Sequence, residues 1–136
     1  MDEAAREMAK SMIGITDAEL DGLAPGMQRI LENSMALMGT RIVAEVVESK
    51  NCFAFYKPGD KLVFNATMLN TDETTAPNIC TDAITPLNTA IRAMLSAIVN
   101  GEDPNKYIFN HVQCLDTGAA HGGLGRVLFK VYVERV

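Results

Sequence analysis

Apolar residues follow two different rhythms along this chain, and the change comes near residue 40. Before it the period is helical. Ala4, Ala5, Met8 and Met12 recur at three- and four-residue steps. Thr16-Asp17-Ala18-Glu19 reads as a capping box, with Thr16 closing the start of a helix and Glu19 reaching back to it. Gly22 and Pro25 break the run, and Pro25 suits the first turn of a further helix, where its missing N–H would have no partner anyway. That helix carries a stripe of Met27, Ile30, Leu31, Met35 and Met38, and Gly39 stops it. Residues 2–38 are thus expected to be helical. The methionine-rich stripe fits either packing on the chain's own sheet or meeting a partner or second copy, since flexible methionines serve both.

From residue 41 the pattern becomes that of strands. Arg41–Glu48 is rich in Val and Ile, and Lys61–Asn65 makes a second strand after the turn Lys57-Pro58-Gly59-Asp60. Residues 66–79 are polar and long for a connection, which suggests a functional or mobile segment. Ile84, Leu87, Ile91, Met94, Leu95 and Ile98 then form a helical stripe, with Thr85-Pro86 as cap and first position and Asn100-Gly101 as the stop. Tyr107–Leu115 reads as a third strand. Arg126–Val136 reads as a fourth, with Val127, Phe129, Val131 and Val133 alternating against polar neighbours. Helices followed by β-β-α-β-β predict an α+β fold, its sheet antiparallel or mixed with helices on one face. One domain over 1–136 is expected, with a 1–39 helical extension packed on or swapped against a 40–136 core.

Composition narrows the function. At 48% hydrophobic the chain is too apolar for disorder. A net charge of −5 without a basic cluster disfavours nucleic acid as a partner. No apolar run approaches the roughly 20 residues of a membrane span, so no membrane partner is expected. Met1-Asp2-Glu3 lacks the basic start of a signal peptide, and three cysteines are an odd set for a disulfide framework. A cytoplasmic protein with reduced thiols, and a homo-oligomer, is the expectation.

Cys52, Cys80 and Cys114 each fall at the edge of an expected element, where thiols can converge. Cys80 precedes the long helix, on its stripe extended backward. Cys114 shares a strand face with Ile108 and Val112 by alternation, whereas His111 lies on the other face with Phe109 and Gln113. The loop 116–125 holds Gly118, Gly122, Gly123 and Gly125, whose amides can form an anion-binding nest. His121 within it can complete a Cys52, Cys80, Cys114, His121 metal set, for zinc or iron, with Asp116 orienting the imidazole from behind. Alternatively His121 acts as a base beside Cys80, with Gly118, Gly122, Gly123 and Asp116 around an anionic small-molecule ligand. The third reading is a non-catalytic accessory or oligomerising subunit whose cysteines are buried fillers.

Arg41-Ile42-Val43-Ala44-Glu45-Val46-Val47-Glu48, then Cys52 followed by Lys57-Pro58-Gly59-Asp60-Lys61-Leu62-Val63-Phe64, are joined by Cys80 before a helix, Cys114-Leu115-Asp116 and Gly122-Gly123-Leu124-Gly125-Arg126-Val127-Leu128-Phe129-Lys130-Val131. Together these stretches resemble a family of small prokaryotic proteins of uncharacterised function, and the helical start is similar to that of its longer-form subgroup. The resemblance implies a compact α+β protein with a shared cysteine pattern. Some relatives carry cysteine before the Gly-Gly pair, where this chain has His121. That exchange between two metal-ligand types favours a metal site and departs from a purely thiol-based one.

Overall fold

Three long apolar segments share the work of building the sheet, and each places alternate residues against one helix. The computed structural model describes residues 1–136. Strands β1 (Thr40–Lys50), β2 (Lys61–Asn65), β3 (Met68–Leu69), β4 (His111–Gln113) and β5 (Arg126–Arg135) form one sheet in the order β3-β2-β1-β5-β4. Every neighbouring pair is antiparallel. The long helix of the fold, Thr81–Val99, packs on one face. Its Ala83, Leu87, Ala90, Ile91 and Met94 meet Ile42, Ala44, Val46, Leu62, Phe64, Val127, Phe129 and Val131 in a single core. Those strand residues sit at two-residue steps, as a half-buried strand requires.

The N-terminal segment forms four helices: α1 (Glu3–Ile13), α2 (Asp17–Gly22), α3 (Pro25–Glu32) and α4 (Ser34–Met38), so the long helix is α5. The expected capping box closes α2: Thr16 Oγ1 accepts the Glu19 N–H at 3.2 Å, and Glu19 accepts the Thr16 N–H at 2.8 Å. Pro25 opens α3 as read from the sequence. The methionine stripe, however, is not covered by the sheet, because the helix breaks at Asn33 and Met27, Met35 and Met38 stand half or more exposed.

Two further expectations are corrected. The long helix begins at Thr81, ahead of Thr85-Pro86, and Pro86 lies inside it. A proline there cannot donate to the carbonyl four residues back, which is that of Asp82. The freed Asp82 oxygen instead accepts the N–H of Leu115 at 3.0 Å. The third strand is also much shorter than Tyr107–Leu115. Tyr107–Asn110 does not pair as a strand, and Ile108 and Phe109 are exposed. The side chain of Asn105 takes the vacant place beside β5, donating to Val133 O at 3.0 Å and accepting the Val133 N–H at 2.8 Å.

The polar loop after β2 has a structural use. Thr74 and Thr75 hydroxyls accept the N–H groups of Val63 and Lys61 at 3.0 and 2.9 Å, and the N–H groups of Asn70, Thr75 and Ala76 return to carbonyls of the same strand. The open edge of β2 is thereby satisfied almost end to end.

Candidate functional site

The three cysteines, more than 25 residues apart in sequence, come together. Cys52, Cys80 and Cys114 line one pocket of about 390 Å³, a size that suits a small organic ligand. Each is half-buried and each is a free thiol.

Three local interactions assemble the pocket. After β1 the chain turns through Asn51 and Phe55 in the left-handed region, at φ 50° and 65°. Phe55 is too bulky to adopt that conformation without cost, so surrounding bonds must hold it. They include Ser49 Oγ donating to Tyr56 O at 2.6 Å and Asn78 Nδ2 donating to Ala54 O at 3.0 Å. Second, the Tyr56 hydroxyl donates to Asn78 O at 2.7 Å and accepts the Cys80 N–H at 3.2 Å. That ties the Cys52 turn to the start of α5. Third, the Leu115 to Asp82 bond draws the Cys114 segment onto the first turn of α5. Cys114 Sγ is itself fixed by the N–H of Val127 at 3.3 Å.

Tyr56 is buried with its ring edge-on to Phe129, 6.0 Å between centroids. Burial pushes its hydroxyl above the usual tyrosine range, against the opposing pull of the Cys80 N–H. It therefore acts as a neutral hydrogen-bonding post. Cys80 occupies the N-cap position of α5, but its sulfur makes no capping bond. The Thr81 and Asp82 N–H groups have no acceptor within the chain, which leaves positive partial charge at the pocket edge. Arg126, without a carboxylate within 4 Å, and the exposed Phe53 and Ile79 complete the mouth.

The glycine loop differs from its expected use. The nest is real but already filled. Asp116 Oδ1 accepts the N–H groups of Gly118 and Leu124 at 3.0 and 2.8 Å, and Oδ2 accepts that of Gly125 at 2.8 Å. These bonds, Gly125 foremost, hold the Asp116 carboxyl below its ordinary range. Asp116 thus serves as the loop's internal anion and does not orient His121. Gly118 and Gly122 supply the positive φ, 84° and 81°. Gly123 is needed because a Cβ there would strike the Asp116 carboxylate, and its N–H closes on Gly118 O at 2.9 Å.

His121 ends the short 3-10 turn Ala119–His121, exposed and outside the pocket. The set of Cys52, Cys80, Cys114 and His121 is therefore not assembled in this arrangement. No three His, Cys, Asp or Glu side chains stand grouped to hold a metal ion. His111 is exposed with Nδ1 2.7 Å from Asn110 Oδ1, away from the thiols. Tyr56, Asp82 and Arg126 join the site without a sequence signal, since none stands in a spaced motif with a cysteine.

Fold and site together define an α+β protein with a three-thiol pocket at a helix start. No helix is long and apolar enough to cross a membrane. No protein-family model, curated protein or solved structure matches the chain.

Proposed function

We propose that this chain binds a small organic ligand in the pocket lined by Cys52, Cys80 and Cys114. The observation that supports this reading is the convergence of all three thiols of the chain, from three separate segments, on one pocket. Sulfur is polarizable and weakly hydrated, so such a wall favours soft or thiol-reactive molecules over strongly hydrated ones. The volume exceeds what a bare ion needs, and a metal would require the sulfurs to draw inward from their present places.

The test is alkylation of the folded protein by iodoacetamide, with and without the small-molecule fraction of a cell extract, read by peptide mass spectrometry alongside a native mass spectrum. Joint protection of the three thiols with a matching added mass supports the reading. Equal alkylation rates and a bare chain mass overturn it. An added mass equal to zinc or iron would replace it with the metal site.

A second reading is self-association through the N-terminal helices, favoured by the exposure of Met12, Met27, Met35 and Met38. Sedimentation at increasing concentration tests it, and a monomer throughout would exclude it.

A further inference from the structure

On the far side of α5 from its thiol-bearing start, α3 and the C-terminal half of α5 enclose a groove of about 490 Å³. Its walls are Met27 and Ile30 from α3 and Leu95 and Val99 from α5. Arg29 and Arg92 stand along it, one from each helix. No acidic residue lines the groove, although the chain carries 17 acidic against 12 basic residues. Neither guanidinium has a carboxylate within 4 Å, and the acid that ends α3, Glu32, is held at 3.2 Å by the amino group of Met1. The only acidic residue of α5, Asp82, lies in its first turn, at the opposite end. An apolar trough with two unneutralised cations is thus a local reversal of the protein's overall charge.

We propose that this groove binds a free amphipathic organic anion: a carboxylate head shared between Arg29 and Arg92, and a hydrocarbon body along Met27, Ile30, Leu95 and Val99. Guanidinium groups bond carboxylates through parallel N–H donors, and the apolar walls reward removal of a hydrocarbon chain from water. The site is separate from the thiol pocket and independent of what that pocket holds.

Titration calorimetry with decanoate, kept below its aggregation threshold, tests the proposal. One saturable site is expected, with decanol binding more weakly and affinity falling as salt rises. Arg29→Gln with Arg92→Gln should weaken decanoate by roughly tenfold or more, the loss of charge-assisted hydrogen bonds. Arg135→Gln, outside the groove, should leave binding unchanged. Absence of a saturable site, equal binding of decanol, or an unaltered double variant would each overturn the proposal. Binding to anionic vesicles in preference to monomeric decanoate would also overturn it, in favour of a lipid surface.

Discussion

The Tyr56 hydroxyl receives the N–H of Cys80, so a side chain from the turn after β1 holds the N-cap residue of α5. The same hydroxyl donates its O–H to Asn78 O, and replacing Tyr56 by Phe would strand both backbone groups. Loss of about 1–3 kcal/mol is expected for such unpaired groups, read from urea unfolding. The Cys80 thiol should also alkylate faster in this variant. An unchanged midpoint and rate would show that the bond does not hold the pocket.

Pro86 and Leu115 are linked through Asp82. An interior helix proline ordinarily costs about 3 kcal/mol relative to alanine. Here the carbonyl it frees has another donor. Pro86→Ala should therefore stabilise by much less than that figure, because the new N–H competes with Leu115 for one oxygen. Amide exchange at Leu115 should accelerate. A full gain in stability with unchanged exchange would refute the coupling.

Asp116 gives the loop a pH dependence with a definite sign. Its folded carboxyl is held low by the N–H groups of Gly125, Gly118 and Leu124. Its contribution is complete above the ordinary carboxylate value of about 3.9 and is lost as pH falls through the depressed folded value. The melting-temperature gap between the native chain and Asp116→Asn should be full at neutral pH and shrink in acid. A gap that persists unchanged to about pH 2 would contradict this assignment.

Gly125 and Gly22 make a matched pair. A Cβ at Gly125 would collide with the backbone carbonyls of Lys50 and Asn51, which cannot swing aside as a side chain can. At Gly22 a Cβ meets nothing within 4 Å and the φ is ordinary. Gly125→Ala should destabilise by at least about 1–3 kcal/mol, as overpacking does. Gly22→Ala should stabilise by about 0.4–1 kcal/mol through the unfolded chain. Equal midpoints in denaturant would exclude the close approach at Gly125.

Periodicity and caps made much of the fold legible. The Thr16–Glu19 box, Pro25 and the alternation of β5 depend on neighbours within a few residues, where sequence rules are strong. The start of α5 is not legible locally, because Pro86 ordinarily marks a first turn and its tolerance inside the helix depends on Leu115, distant in sequence. The shortness of β4 was hidden for the same reason, since Asn105 replaces a strand from outside the pattern. At the site, positions at element ends allow the thiols to meet but do not require it, and the contacts that bring them to one pocket are distant in sequence. The separation of His121 was not legible either, because Asp116 fills the nest that the glycines offered. A carboxylate two residues before the first glycine was the available signal for that self-sealing loop.

The margins of the sheet bear on how copies of this chain can meet. One margin is closed by the short β3 and by the Thr74 and Thr75 hydroxyls, and the other ends in only three residues of β4. A neighbouring molecule thus finds almost no free ladder on which to add a strand, the route by which β-rich proteins commonly aggregate. Backbone templating is thus the contact this sheet withholds from a second copy, and what it leaves open is contact between side chains.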